Sequence, residues 1–377
     1  MILNFLGLLL VFTTIYFLIY QQSQGIIPSD TRAHISFIEP YFEGKKYIPH
    51  PLWHVLVYHF SDFFNVDLKI SASIITSFIF SLYTVIIYKI SKFKNSYNNQ
   101  NINPYLITFI SLIIAPFFLI DFNPHIYIGQ GSPSVWHNVT LFTVKPFALL
   151  SVFFTIKFFQ TTKGADFLFA FLFSLISIFA KPSFILIFLP SLVVYMVIKK
   201  LFNKPQLFYL SISIISTVSI LLYQFIHRFG DNGNSKIIFD YLGVWSTQTP
   251  NVFISIILVL GLPILITLFN YKSIKDNEYI KFSWLLIFFS MFLKASFAEQ
   301  GTKYYSGNFG WSWQIALSII YIYSIIEYFK QYKIMKPLLR YSLLTILLYQ
   351  VYVGCYYLTG IFKGITYNAT ILKFPIF

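Results

Sequence analysis

The chain has 377 residues, of which 57% are hydrophobic and 11% are charged. About a quarter of the residues in soluble domains are charged, so this composition excludes an ordinary soluble fold and predicts an integral membrane protein. The net charge of +14 does not indicate a nucleic-acid partner, because the lysines are scattered between apolar segments and form no basic face. The single cysteine, Cys355, excludes a disulfide framework and a cysteine metal site within one chain.

Apolar runs long enough for membrane helices recur along the whole chain. The first run lacks a basic region before it and a small-residue cleavage site, which predicts a retained signal anchor. The predicted spans lie near residues 2–20, 69–91, 104–120, 139–159, 165–180, 183–198, 206–226, 251–270, 282–298, 312–329 and 338–359. The sequence therefore predicts an all-α polytopic membrane protein with about eleven transmembrane helices (range roughly 9 to 13) in a single domain over residues 1–377.

The basic residues predict the orientation of these helices. With a cytoplasmic N-terminus, fifteen of the 27 lysines and arginines fall in short inner loops and eight in outer segments, as the positive-inside rule requires. All seven histidines then lie on the outer side, together with most of the acids, prolines and glycines of the longer loops. We therefore expect any chemistry to lie on the extracytoplasmic side, and a bacterial plasma membrane is the expected location.

The first outer segment, residues 21–68, is the most informative one. Asp30, Arg32 and His34 lie within five residues of one another, and Asp30 and His34 share a face if the chain is helical there. The alternative role for Asp30 is that of an N-cap at the start of a short helix.

An amphipathic helix is predicted from Pro49 to Phe60, because apolar residues recur there at helical spacing. Such a helix lies in the membrane interface. His50 and His54 are four residues apart on it, a spacing that also allows a divalent metal to bind, but no glutamate completes a zinc-protease motif. The sequence thus requires no cofactor, and a metal remains an open alternative.

Two lysines in the middle of the chain are costly to place in a membrane. Lys145 and Lys181 each precede a proline and lie within or between apolar spans, which predicts a polar cavity or, alternatively, side chains that reach to the surface. Because proline interrupts helical hydrogen bonding, the segments on either side of Lys181 are predicted to form one broken or re-entrant element. The preceding outer loop adds His137 as a polar candidate.

The last outer segment before a span combines aromatic, amide and charged side chains. Aromatic faces stack on the apolar faces of sugar rings while amides and acids bind hydroxyls, so the mixture suits carbohydrate; an aromatic belt at the headgroups is the alternative. The candidates here are Glu299, Lys303, Asn308 and Trp311.

Transfer of a sugar from a lipid phosphate requires a carboxylate that accepts the proton of the acceptor hydroxyl, and cations that stabilise the departing phosphate. Asp30 is the candidate base, with His34 beside it. The candidate substrate-binding residues are Arg32, His54, His137, Lys145, Lys181, Arg228, Glu299, Lys303, Asn308 and Trp311.

The segments SDTRAHI and HPLWH, together with the signal anchor and the many spans, resemble the C-type glycosyltransferase superfamily. The resemblance implies that Asp30 is the catalytic base, that the donor is a polyprenyl-phosphate sugar, and that the acceptor is a glycan, lipid or protein. The chain lacks the second acid that many members carry beside this aspartate, since Thr31 and Arg32 follow it. A metal-independent reaction, with Arg32 or His34 supplying the electrostatic stabilisation, is therefore the preferred form of the hypothesis.

Three alternatives stay open at this level. A repeat-unit polymerase for surface polysaccharide would depend on outer arginines, of which only Arg32 and Arg228 are available. A lipid or solute transporter would use ionisable residues at mid-membrane, for which Asp166 and Glu327 near inner span ends are candidates. A membrane-bound acyltransferase is a further possibility, although the sequence has no acyl-donor features.

Overall fold

A computed structural model describes residues 2–96, 103–229, 236–301 and 303–365, and this part of the chain is largely helical. The first nine helices are α1 (Ile2–Ser23), α2 (Thr31–Ile35), α3 (Ile38–Phe42), α4 (Leu52–Phe64), α5 (Leu68–Ser96), α6 (Pro104–Ile113), α7 (Val139–Thr161), α8 (Gly164–Ala180) and α9 (Ile185–Lys199). They are followed by α10 (Lys204–Phe229), α11 (Gly243–Gln248), α12 (Val252–Phe269), α13 (Tyr271–Ile274), α14 (Glu278–Ser296), α15 (Trp311–Gln331) and α16 (Pro337–Phe362).

Each apolar segment predicted as a span forms a helix. Among the described residues, eight helices are long and apolar enough to cross a membrane, and α6, α8 and α9 are shorter apolar helices. The fold is that of an all-α polytopic membrane protein. The predicted helix over residues 104–120 was too long, because α6 ends at Ile113 and the chain then runs irregularly past Pro116, whose ring disfavours helical geometry in the residue before it.

The helices are not equally buried within the protein. In α7 and α15, 78% and 83% of the apolar stretch is buried, whereas the corresponding share is 22% in α1 and α10. The two buried helices therefore form the centre of the bundle, and the outer helices present apolar side chains to the surroundings. For a membrane protein, this exposure of apolar side chains is the expected consequence of a hydrocarbon solvent.

The predicted break beside Pro182 is present. Helix α8 ends at Ala180 and Lys181 adopts an extended conformation, with φ −169° and ψ 112°. The residue before a proline is driven out of the helical region by the proline ring, so the sequence itself sets this break. Helix α9 begins four residues later, at Ile185.

Two strands were missed by the all-α prediction. Strand β1 (Ile237–Phe239) pairs in antiparallel fashion with β2 (Phe297–Glu299), and Ile238 lies opposite Ala298. Such three-residue strands are too short to give an alternating pattern in the sequence. Strand β2 begins at the residue after the end of α14, so the sheet lies at the end of that helix.

The predicted amphipathic helix corresponds to α4, which runs from Leu52 to Phe64, so its bounds lie later than the predicted Pro49 to Phe60. One face packs inward through Trp53, His54 and Val57, and Phe63 at the other face is 80% exposed. Pro49 and Pro51 precede the helix and do not interrupt it.

We predict that close packing of α16 depends on Gly354. A side-chain carbon at this position would overlap the carbonyl group of Ile113, so α16 and the end of α6 can approach only through a glycine. Gly354→Val should lower the free energy of unfolding by about 3 kcal/mol or more, since the backbone has to shift. Thermal unfolding of the purified protein would measure this.

The matched control is Gly7→Val in α1, where an added side chain meets no atom within 4 Å. Equal melting temperatures for the two variants would contradict the packing argument.

Candidate functional site

Segments that the sequence places on the outer side meet around one cavity of about 170 Å³. They come from the loop before α2, the loop before α7, the end of α11, the end of α14 and the start of α15. The lining residues are Asp30, Tyr127, Ile128, Gly129, His137, Gln248, Lys294, Tyr305, Ser306, Gly307, Gly310, Trp311 and Gln314. Three of the residues predicted for the site, Asp30, His137 and Trp311, are therefore in this lining.

Asp30 occupies the N-cap position of α2, as the alternative predicted, but its side chain makes no capping hydrogen bond. The hydroxyl group of Ser29 accepts from the Thr31 backbone N–H at 3.2 Å instead. The Asp30 carboxylate accepts a short hydrogen bond from the side-chain amide of Asn138. This hydrogen bond joins the segment before α2 to the start of α7. The carboxylate faces the cavity.

Asn138 is held in a fixed orientation because it caps α7. Its Oδ1 atom accepts from the Leu141 backbone N–H at 2.8 Å and from the Thr140 hydroxyl at 2.9 Å. With Oδ1 turned towards the helix, the Nδ2 atom is left to donate to Asp30. Asn138, which caps α7, therefore also positions the carboxylate of Asp30.

Lys181 joins this group from the break between α8 and α9. Its ammonium nitrogen donates to Thr140 Oγ1 at 2.8 Å and lies 3.4 Å from Asn138 Oδ1. The same nitrogen is 4.6 Å from the centre of the Trp311 ring, at cation–π distance. Only 6% of Lys181 is exposed, so its charge lies in a medium of low dielectric constant next to Asp30.

Two opposing effects act on the carboxyl group of Asp30. Burial raises the pKa of Asp30 above its ordinary value of 3.8, and the Asn138 hydrogen bond and the positive charge of Lys181 partly offset that rise. A carboxylate of raised pKa is a stronger base than an ordinary one. The two partners favour the ionised form that a base requires.

His34 and His54 form a second polar group beside the first. The Nδ1 atom of His34 and the Nε2 atom of His54 are 3.1 Å apart and share one hydrogen bond between α2 and α4. Burial lowers the pKa of His54 to about 4, and burial together with the neighbouring charges lowers the pKa of His34 well below 6.5. Because both pKa values lie below 7, both rings are neutral near pH 7, and one ring donates the shared hydrogen bond while the other accepts it.

His137 lies in the cavity wall between two aromatic rings. Its ring centre is 4.9 Å from that of Tyr127 and 6.2 Å from that of Trp311. Burial lowers the pKa of His137 to about 3, so this imidazole is also neutral. A neutral imidazole can donate or accept a hydrogen bond but does not supply a positive charge.

Lys294 is a cavity residue that the sequence analysis did not single out. Its ammonium nitrogen donates to the carbonyl oxygen of Gly129 at 2.8 Å and lies 4.0 Å from the Trp245 ring centre. The signal was available, because Lys294 is a cation within an apolar span, as Lys145 and Lys181 are. Gln248, Gln314 and Tyr305 in the lining carried no comparable signal.

Several predicted site residues lie away from the cavity. Arg32 is exposed and its side chain runs beside Gly25, so it does not reach the Asp30 carboxylate. Lys145 is buried in α7 and donates to the carbonyl oxygen of Pro133 at 2.9 Å, next to a separate small cavity. Arg228 belongs to α10, and its side chain lies outside the described part of the structure.

The predicted carbohydrate residues of the last outer segment divide between the lining and its support. Trp311 lines the cavity, whereas Asn308 donates to Glu299 Oε1 at 2.8 Å behind the turn of residues 304–307. Lys303 begins that turn and accepts, through its carbonyl oxygen, from the Ser306 N–H. Glu299 and Asn308 therefore brace the cavity wall and are not part of its surface.

Asp166 and Glu327, the two acids considered for a transporter, have side-chain partners at the end of the helices away from the cavity. Asp166 pairs with Lys157 at 2.8 Å. Glu327 is fully buried and accepts from Ser273 at 2.5 Å and from Asn277 at 2.9 Å, so it ties α13 and the start of α14 to α15. Both networks are consistent with a structural role.

The described acidic and histidine side chains form no group suited to a metal ion. In the part of the chain that the structure describes, no group of three histidine, cysteine, aspartate or glutamate side chains is placed to hold one. The groups nearest to the Asp30 carboxylate are an amide and an ammonium group. Comparisons with protein-family models, with curated proteins and with solved structures give no match to this chain.

We predict that acid destabilises the protein through its buried histidines. The folded state lowers the pKa of His54 from 6.5 to about 4, so between these values the unfolded chain binds more protons and stability falls as pH falls. The loss is up to about 1.4 kcal/mol per pH unit for such a group. His54→Gln should therefore show a smaller decrease in melting temperature between pH 7 and pH 5 than the wild type. Equal decreases would contradict this assignment.

Proposed function

We propose that the protein is a membrane glycosyltransferase that moves a sugar from a polyprenyl-phosphate donor to an acceptor hydroxyl group on the extracytoplasmic side. The observation that carries this proposal is the position of Asp30, a partly buried carboxylate that lines the cavity and is held by an amide and a nearby ammonium group. The cavity lining combines this acid with Lys294, two glutamines and aromatic rings, and Lys181 lies behind the lining, bonded to Thr140. That combination suits a ligand with hydroxyl groups and an anionic phosphate.

Asp30 acts as the general base in this proposal. As the acceptor oxygen forms a bond to the anomeric carbon, the bond from that carbon to the phosphate oxygen breaks and the phosphate takes the electron pair. The Asp30 carboxylate accepts the proton that the acceptor hydroxyl group loses. Its raised pKa favours this step, and its hydrogen bond to Asn138 fixes the direction in which the carboxylate faces.

The departing phosphate needs positive charge, and two lysines are candidates to supply it. Lys181 lies on the Asp30 side, and Lys294 lies in the wall formed by α14, above the Trp245 ring. Ammonium groups that are already in place in a buried site stabilise developing negative charge without reorganisation. The roles first considered for Arg32 and His34 pass to these lysines, because Arg32 is exposed and His34 is held neutral by burial and neighbouring charges.

The position of Arg32 favours a transferase over the polymerase alternative. A polymerase of the kind considered would bind its lipid-linked glycans with outer arginines, and Arg32 is not among the described residues that line the cavity. The cavity of about 170 Å³ is also small for two lipid-linked repeat units. One sugar ring at a time is the better fit.

The remaining features of the proposal concern the membrane. We place the N-terminus in the cytoplasm of a bacterial cell and the cavity at the outer surface, with α6, α8 and α9 as additional, shorter membrane elements beside the eight long helices. The C-type glycosyltransferase architecture belongs to this proposal. It is supported by an acid before α2 that lines the cavity and by the amphipathic character of α4.

The direct test is Asp30→Asn, which keeps the shape of the side chain and removes the base. We expect transfer by the purified protein to fall by about 10²- to 10⁴-fold, the usual contribution of a general base, with an unchanged melting temperature. Asp62→Asn, in an exposed position of α4, is the control and should leave turnover intact. Near-normal turnover by Asp30→Asn would refute the proposal.

A second test separates the electrostatic role of Lys181 from a structural one. Because the charge of Lys181 lowers the pKa of Asp30, Lys181→Met should move the acid limb of the pH profile of kcat/KM to higher pH. It should also lower kcat by about 10²-fold or more. Lys181→Arg should retain the acid limb of the wild type, and Lys236→Met, at an exposed lysine, should change neither quantity. An unshifted acid limb in Lys181→Met would count against this role.

A further inference from the structure

Three large aromatic side chains are exposed on the sheet and turn next to the cavity. Phe239 is 71% exposed, Tyr241 66% and Tyr305 73%. We call this group the aromatic rim. Exposed clusters of large apolar side chains indicate an interaction surface, because exposure of such area to water costs free energy.

The backbone that carries the aromatic rim is ordered by hydrogen bonds. Phe239 lies opposite Phe297 in the sheet, and the Asp240 N–H donates to the carbonyl oxygen of Ser296 at 2.9 Å. The Tyr304 hydroxyl donates to the Asp240 carboxylate at 2.5 Å and so ties the turn to the sheet. The three rings therefore lie on an ordered backbone. Little conformational entropy of this backbone would be lost when a ligand binds.

The aromatic rim continues into the cavity. Tyr305 and its neighbour Ser306 belong to the cavity lining and are the exposed members of it among the described residues. They therefore mark the mouth of the cavity. A ligand that enters past Tyr305 would pass over the rim, with its inner end near Asp30 and its outer part on the sheet.

We propose that the aromatic rim binds the acceptor, and that the acceptor is a saccharide chain whose terminal hydroxyl group reaches Asp30. This inference rests on the proposed transferase function and names its acceptor class. Aromatic faces stack on the apolar faces of sugar rings, and carboxylates accept hydrogen bonds from sugar hydroxyl groups. Asp240, directly after β1, provides a partly exposed carboxylate within the rim.

The surroundings of the rim argue against lipid as its occupant. The exposed surface of α10 is apolar and carries no acid, as Ile215, Leu222 and Tyr223 show with exposures of 67%, 54% and 57%. The aromatic rim differs, because the carboxylate of Asp240 lies between Phe239 and Tyr241 in the chain. A carboxylate among the apolar groups suits a hydrated ligand better than a hydrocarbon one.

Saccharide binding can be measured without turnover on the Asp30→Asn protein in nanodiscs. The probes are linear tetrasaccharides of glucose, mannose, galactose and N-acetylglucosamine, and saturation-transfer NMR reports binding. We expect at least one probe to bind, and the triple variant Phe239→Ala, Tyr241→Ala, Tyr305→Ala to bind it at least about 10-fold more weakly, as the loss of stacked rings predicts. Phe253→Ala, at an equally exposed ring in α12, is the matched control and should bind normally.

A spin label tests the lipid alternative on the same protein. With Cys355 replaced by serine, a label at Phe239→Cys should be more accessible to a water-soluble nickel complex than to oxygen, and a label at Ile215→Cys should show the reverse. Preferential oxygen access at Phe239→Cys would overturn the proposal in favour of lipid. Equal binding by the triple variant and the wild type, or no binding of any probe, would also overturn it.

These results are distinguishable from those that test the proposed function. Loss of turnover in Asp30→Asn with unchanged saccharide binding in the triple variant would keep the transferase and remove the aromatic rim as its acceptor site. Saccharide binding that depends on the rim, in a protein without transfer activity, would keep the rim as a saccharide site and remove the transferase.

Discussion

The arrangement of the site depends on one amide group, that of Asn138. Its oxygen caps α7 and lies near the ammonium group of Lys181, and its nitrogen donates to the carboxylate of Asp30. A partly buried carboxylate and a buried ammonium group are each costly without partners, and the same residue helps to satisfy both. The cap fixes the orientation of the amide. The segments that carry Asp30, Asn138 and Lys181 are far apart in the chain, and this amide holds them in a fixed relative position.

The rest of the bundle supplies the rigid frame for this contact. Helices α7 and α15 are the most buried of the long helices and bring the loop before α7 and the start of α15 to the same end. There, Lys181 lies over the Trp311 ring, and Gln314 accepts from the Ser132 backbone N–H at 2.7 Å. At the opposite end, Glu327 joins α13 and the start of α14 to α15, with Lys330 3.9 Å away. Asp30 and Glu327 thus lie at opposite ends of the bundle, each with polar partners.

The sequence predicted the helices, and it predicted which segments contribute to the site. It did not predict which side chains contact one another there. Apolar runs are long and unambiguous in a membrane protein, and proline marked the break at Lys181. The choice of Arg32 as a phosphate-binding residue rested on its fit to phosphate, but the face of α2 on which it lies directs it to solvent. Asn138 and Lys294 act through partners more than one hundred residues away, and no local pattern reports such pairs.

The break at Lys181 also affects the lipid next to the protein. Helices α8 and α9 contain 17 and 15 residues, and at about 1.5 Å per residue neither reaches across a hydrocarbon layer of about 30 Å. Where this pair faces the bilayer, the lipid has to thin or the flanking polar side chains have to extend towards the headgroups. With the cavity on the outer side, as proposed, this hydrophobic mismatch brings the outer headgroup plane closer to the depth of Lys181. A lipid phosphate beside these helices then lies near the level of the cavity without leaving its own leaflet.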